Sequence, residues 1–247
     1  DGTPFDALVL NAGLQYAGHD SPRWSAQGIE LTFAVNHLAH QLLAEELKEQ
    51  TRALVITASE VHNPTTGGGR VGKPADLGML KGLRRGPGAP MVDGESPFNA
   101  DKAYKDSKLC NLLMALQIHR QRPELPVVAW SPGLVIPRTT GGFFRDSRQA
   151  NPLGQALFGL IARDLLRLTE NVERAGELLV QLIDEQLHQP GFSYWSNALL
   201  GPGRHQFKPT EPSEEAIGSD KSTMLWMLSN DLINASLGPS NHRQQGQ

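Results

Sequence analysis

Phe5-Asp-Ala-Leu-Val-Leu-Asn-Ala-Gly13 is a short apolar run ending in asparagine and glycine, the pattern of a buried parallel strand that turns sharply toward a ligand. Two further runs follow the same plan. Arg52-Ala-Leu-Val-Ile-Thr-Ala-Ser59 ends in a hydroxyl, and Pro126-Val-Val-Ala-Trp-Ser-Pro-Gly133 ends in Pro-Gly. Helical patterns lie between them: 27–50 carries Ile29, Leu31, Phe33, Val35, Leu38, Leu42, Leu43 and Leu47, and 103–120 carries Leu109, Leu112, Leu113, Leu116 and Ile118. Alternating strands and helices predict an α/β fold whose parallel sheet is covered on both faces. Ligands of such sheets bind beyond the carboxyl ends of the strands, where Asn11, Ser59 and Pro132-Gly133 all fall.

The chemistry is concentrated in Lys102-Ala-Tyr-Lys-Asp-Ser-Lys108, which sets the Tyr104 phenol and the Lys108 ammonium four residues apart. That spacing places both side chains on one helix face. A nearby ammonium favours phenolate over phenol, so Lys108 is expected to lower Tyr104 from about 10 and fit it for proton exchange near neutral pH. The bland reading is an ordinary surface pair, and the strand ends upstream weigh against it.

Asn11-Ala12-Gly13, Asn36 in Val-Asn-His-Leu-Ala-His40, Ser59, Tyr104/Lys108 and Pro132-Gly133 together resemble, in order, the motifs of the short-chain dehydrogenase/reductases. The resemblance implies a Rossmann-type, doubly wound parallel sheet and a catalytic tetrad of Asn36, Ser59, Tyr104 and Lys108. Tyr104 would be the proton donor. Lys108 would depress its pKa and hold the nicotinamide ribose, Ser59 would bind substrate or the tyrosyl oxygen, and Asn36 would anchor a proton-relay water. Asn11, Ala12 and Gly13 would border the adenine side of the cofactor, and the loop after Gly133, including Val135 and Thr139, would meet the nicotinamide.

Within that family the chain is most similar to the branch formed by the light-dependent protochlorophyllide reductases. Val61-His-Asn-Pro64, Lys73-Pro-Ala-Asp-Leu-Gly78 and Met91-Val-Asp-Gly94 resemble the insertion that separates serine from tyrosine there, and 45 positions part Ser59 from Tyr104 here. Ala103-Tyr-Lys-Asp-Ser-Lys-Leu-Cys-Asn111 matches almost letter for letter. Thr139-Thr140 with Phe144-Arg145, Gly191-Phe-Ser-Tyr-Trp-Ser196 and a final helix over 213–234 resemble later segments. Two departures stand out: Leu134 occupies the position where the branch usually has cysteine, and the loop 135–144 is longer than its pattern. The branch implies NADPH as cofactor, a tetrapyrrole whose ring C=C is reduced in light, and a cytoplasmic or thylakoid-associated place in a photosynthetic cell. A dark carbonyl/alcohol oxidoreductase of the retinol-dehydrogenase type, suggested by Ser59-Glu-Val-His62, and a non-catalytic pigment binder are the alternatives.

The chain starts at Asp1 and enters at once the strand that is normally fourth in such a sheet, with no glycine-rich phosphate loop between a strand and a helix. The first strands are therefore expected to lie outside this sequence, leaving an N-terminally truncated domain over 1–234 with an insertion at about 60–98 and a polar, disordered tail over 235–247. Gly67-Gly-Gly69 reads as a flexible loop. Of 247 residues, 39% are hydrophobic and 20% charged with net charge -3, which suits one substantial core and no nucleic-acid partner. One cysteine excludes an internal disulfide framework. His37 and His40 lack a third ligand in metal register, so no metal is expected, and their helix is expected to pack at a subunit or core interface. Phe143-Phe144 and the amphipathic stretch 153–168 read as a substrate-covering lid. A peripheral membrane contact and a homo-oligomer stay open as further partners.

Overall fold

The computed structural model describes residues 4–139 and 142–237. In chain order, β1 (Leu8–Leu10) leads to the helical stretch α1 (Leu31–Phe33), a π-helical turn Ala34–Leu38 and α2 (Ala39–Leu47), then to β2 (Leu54–Thr57). The inserted region holds a 3-10 turn Glu60–His62 and the short α3 (Gly67–Arg70) and α4 (Lys81–Arg85), and α5 (Ala100–Gln121) follows. Beyond β3 (Pro126–Ser131) come α6 (Arg145–Ala150), α7 (Pro152–Gly159) with a π-helical extension Leu160–Leu165, α8 (Val172–Gln186), the hairpin β4 (Gly191–Gly201) and β5 (Arg204–Pro209), and α9 (Ser219–Leu237).

The described strands form one sheet in the order β1-β2-β3-β4-β5, parallel up to β4 and antiparallel at β5. Register aligns Leu10 with Ile56 and Ile56 with Ala129, so the strand ends reach the same edge. Successive side chains point to opposite faces. Leu54, Ile56, Val127 and Ala129 pack with α5 and α9 residues such as Leu112, Leu113 and Leu225, whereas Val55, Val128 and Trp130 pack against Leu178 and Leu182 of α8. The result is three layers with the sheet in the middle. Ile56 is fully buried, and burial of such a side chain stabilises by about 1.5–3 kcal/mol.

Several boundaries differ from those read in the sequence. The helix expected over 27–50 starts at Leu31, because Glu30 caps it, its carboxylate accepting from the N–H groups of Thr32 and Phe33. The final helix starts at Ser219 rather than 213 and continues to Leu237, so residues 235–237 belong to it and not to the tail. The rest of that tail lies outside the described residues. The His37/His40 helix meets the core: His37 Nε2 is 3.1 Å from Ser229 Oγ, and Gln41 donates to the Trp226 carbonyl at 3.0 Å, both on α9. Gly67–Gly69 is a helical turn rather than an open loop. A β-carbon on Gly69 would fall 1.9 Å from the Asn63 carbonyl oxygen, so glycine is required for close packing there.

Candidate active site

α5 begins at Ala100 because the Asn99 side chain accepts from the Lys102 N–H at 2.8 Å. This start sets the rotation of the helix, and with it two faces of different use. Lys102, Lys105 and Asp106 turn toward the inserted region. Lys102 Nζ is 2.7 Å from Asp106 and 3.1 Å from Asp93, and it also donates to the Asp76 carbonyl. Burial pushes Asp106 up to about 7 against the pull of Lys102, while hydrogen bonds from Ser96, Glu95 and Lys102 outweigh burial at Asp93 and hold it at about 2. Lys105 Nζ donates to the carbonyls of Gly69, Val71 and Lys73. These buried charges fasten the insertion to α5.

Tyr104, Ser107, Lys108 and Asn111 face the carboxyl edge of the sheet. Lys108 is 3% exposed and donates to the Thr57 carbonyl at 2.9 Å, with its Nζ 5.7 Å from the centroid of the Tyr104 ring. Burial lowers Lys108 to about 8, which still leaves it mainly protonated at neutral pH. Tyr104 departs from expectation. Burial pushes the phenol up to about 12, and the group that pulls it back is the Ser59 hydroxyl rather than Lys108. Tyr104 holds its proton at pH 7.

Asn36 is fully buried on the π-helical turn, a bulge type often found at functional sites. Its amide donates to the Leu14 carbonyl and to Ser107 Oγ, both at 3.0 Å, and accepts from the Leu14 N–H at 2.8 Å. Both amide hydrogens are thus engaged within the protein, and the side chain ties the exit of β1 to α5. Asn11 at the end of β1 accepts from Thr57 Oγ1 at 2.8 Å, and Ala12 beside it is exposed. Gly13 leaves room beside the pair: a β-carbon there would lie 3.7 Å from Lys108 Nζ and 3.6 Å from Asn36 Oδ1.

The Pro132-Gly133 turn closes the other side. Gly133 has φ +82°, and a β-carbon on it would meet the Asn197 carbonyl oxygen at 2.9 Å, so the turn demands glycine. Asn197 donates to the Pro132 carbonyl at 3.2 Å, and Ser131 Oγ accepts from the Glu60 N–H at 3.1 Å. Val135 continues from this turn by bridging to Glu170. Thr139 lies farther out on an exposed loop whose carbonyl accepts from Arg148. Thr140 is outside the described residues. Over the tyrosine, Phe143 contacts the Tyr104 ring at 5.1 Å and joins Leu134, Ile136, Phe144 and Ala162 in a small apolar cluster. Leu134 is therefore part of the cover.

The structure brings Asn36, Ser59, Tyr104, Lys108, Gly13 and Gly133 to one edge, and it adds groups that sequence reasoning missed. Thr57 is the chief of these. Its carbonyl receives both Lys108 and the Asn111 amide, the latter at 3.2 Å, and its hydroxyl links Asn11 to Trp130 Nε1 at 3.0 Å. Its place two residues before Ser59 was visible, but a carbonyl as binding partner leaves no signature in residue type. Among the described residues no helix is long and apolar enough to cross a membrane, and no group of three His, Cys, Asp or Glu side chains converges as metal ligands.

No family model matches the chain. Curated relatives do: the chain is 34% identical over 245 residues to a protochlorophyllide reductase of Avena sativa, covering 93% of this chain and 75% of that one. It is 35% identical over 245 residues to protochlorophyllide reductase B, chloroplastic, of Hordeum vulgare, where it covers 93% of this chain but 59% of the relative. The chain thus spans about three fifths of such longer relatives. Among solved structures, an uncharacterized protein from Mycobacterium paratuberculosis shares the fold with a TM-score of 0.56 at 20% identity, covering 93% of this chain and 67% of that one. The similarity to the Avena relative, over three quarters of its length, joins a tyrosine–lysine helix set at the carboxyl edge of a parallel sheet: the chain belongs to the protochlorophyllide reductase family of the short-chain dehydrogenase/reductases.

Proposed function

We propose that this chain is the catalytic part of an NADPH-dependent reductase that adds hydrogen across a ring C=C of protochlorophyllide, with light absorbed by the pigment driving the step. The observation that carries this reading is the convergence of Asn36, Ser59, Tyr104 and Lys108 on one sheet edge, in a chain of the protochlorophyllide reductase family. A buried ammonium, Lys108, lies next to Gly13, a position without a side chain, which suits an approach of a hydroxyl-bearing ligand to the lysine. Lys108 would hold the nicotinamide ribose, Asn11, Ala12 and Gly13 would border the adenine side, and the Pro132-Gly133 turn with Val135 and Thr139 would face the nicotinamide. When bound, the nicotinamide supplies the hydride.

The chain's own residues then have separable tasks. Tyr104, protonated at neutral pH, gives its proton to the carbon next to the one receiving hydride. Ser59 orients the phenol. Lys108 stabilises the phenolate that forms, in surroundings where an opposite charge is worth more than in water. Phe143 and the apolar cluster around Leu134 cover the ring and exclude water. The exposed apolar side chains of α7 and its extension, Leu153, Leu157, Leu160 and Leu165 among them, suit a peripheral contact with a plastid membrane.

The test is an illuminated absorbance assay with NADPH, following loss of protochlorophyllide and gain of chlorophyllide, beside a dark panel of retinoid and small carbonyl substrates. Photoconversion supports the proposal. Absence of pigment binding together with dark carbonyl turnover moves the assignment to a retinol-dehydrogenase-type oxidoreductase, a reading that the alkyl side chain of Leu134 favours.

A further inference from the structure

His62 is 1% exposed, and both its ring nitrogens face backbone groups of fixed polarity. Nδ1 lies 2.6 Å from the Ser59 carbonyl oxygen, which only accepts, so Nδ1 carries the hydrogen. Nε2 lies 3.1 Å from the Ser213 N–H, which only donates, so Nε2 is bare. A single neutral tautomer satisfies both partners. Burial agrees, since it lowers the imidazole to about 4. The ring also meets Tyr194 edge-on at 5.5 Å, which fixes its plane.

We propose that His62 is a positioning residue of the active site, holding Ser59 against Tyr104 by tying the serine carbonyl to the segment that leads into α9. Its bond is of a different kind from its neighbours'. The turn after Ser59 is otherwise held mainly by bonds within a few residues, His62 N–H to Ser59 and Asn63 N–H to Glu60, together with the Glu60 N–H donated to Ser131. Only the imidazole reaches Ser213, 151 positions away. Without it the carbonyl keeps a backbone bond at 3.2 Å but loses its link to the far end of the chain, and the Ser213 N–H is left buried without an acceptor. Displacement of a catalytic group by about 1 Å is enough to cost roughly 100-fold in rate.

This inference rests on the reading of Ser59 and Tyr104 as an acting pair, so the test has an arm that does not depend on turnover. The chain has three tyrosines, which makes the 13Cζ resonance of each assignable with Tyr104→Phe as reference. Removal of the Ser59 hydroxyl in Ser59→Ala shifts the Tyr104 signal. His62→Leu is expected to reproduce that shift, and His62→Gln, whose amide spans to both partners, to reverse most of it. A Tyr104 signal left at its wild-type position in His62→Leu overturns the proposal whatever the enzyme reduces. In the kinetic arm, His62→Leu should lower kcat roughly 10- to 100-fold with KM within about threefold, and should cost nothing further in a Ser59→Ala background. An equal loss in both backgrounds assigns His62 to packing alone. If His62→Leu fails to fold, Asn and Gln at position 62 carry the same comparison, because Asn is one carbon too short to keep both bonds. A wild-type protein inactive on every substrate tried would sink the proposed function, while the resonance comparison still decides the role of His62.

Discussion

Tyr104 carries its proton at neutral pH, as an ordinary phenol does, and burial raises it further to about 12, which suits the donor role proposed for it. Tyr104→Phe is accordingly expected to lower turnover by at least about 100-fold while leaving NADPH affinity within a few-fold, read from single-turnover absorbance and from quenching of nucleotide fluorescence. Near-normal turnover in that variant would remove the assigned role. The Leu134 side chain contributes shape to the apolar cover but can neither donate nor accept a hydrogen bond. Leu134→Cys is expected to raise the rate of pigment photoconversion, and a rate unchanged or lower would show that the leucine is the better fit for this chain's own substrate. At this scale the sequence exposed the acid and its lysine, since a spacing of four on a helix leaves few alternatives. It did not show what lies over Tyr104, because Phe143 arrives from a loop 39 positions away.

The helix α5 carries two separate duties on opposite faces, chemistry through Tyr104 and Lys108 and attachment through Lys102, Lys105 and Asp106. Lys102→Met would leave Asp93 and Asp106 buried without their cation, a change that costs about 3–5 kcal/mol when a paired charge is orphaned. The exposed pair of Lys81 with Glu95 joins the same region, and Lys81→Met should change stability by less than about 1 kcal/mol. Urea unfolding of the two variants compares them directly, and equal effects would mean that the buried cluster contributes no more than the surface pair. The strands β1 to β3 and the helix α5 were legible because apolar periodicity marks them. The β4–β5 hairpin was not, since β5 is largely exposed and its Arg-His-Gln-Phe-Lys-Pro has little alternation to reveal. The attachment face escaped notice as well, because Lys105 binds only backbone carbonyls.

At the scale of the molecule, three histidines among the described residues are buried as neutral groups: His37 at about 3, and His40 and His62 at about 4, each lowered first by burial. An unfolded histidine titrates near 6.5, so their stabilisation is complete above about pH 6.5 and is lost as pH falls from there toward 4, by about 1.4 kcal/mol per histidine per pH unit. Asp106 and Glu60 act in the opposite sense, since burial raises both carboxyl groups and lets the folded state take up their protons first as pH falls. The histidines outnumber them. Stability should therefore drop as pH falls from 6.5 toward 4.5, seen as a falling urea midpoint, and a flat profile would mean that these rings are solvated. The anchors of the insertion have a different kind of consequence, one for molecular grafting. Lys105 grips the carbonyls of residues 69, 71 and 73, Lys102 and Asp106 grip residues 76 and 93, and the span between puts Leu77, Leu80, Leu83 and Val92 into the main core, so an engineer has to exchange the region between homologues as one piece. Splices placed inside 69–76 would instead pull on the helix that aims the proton, turning a loop transplant into an unintended change of rate.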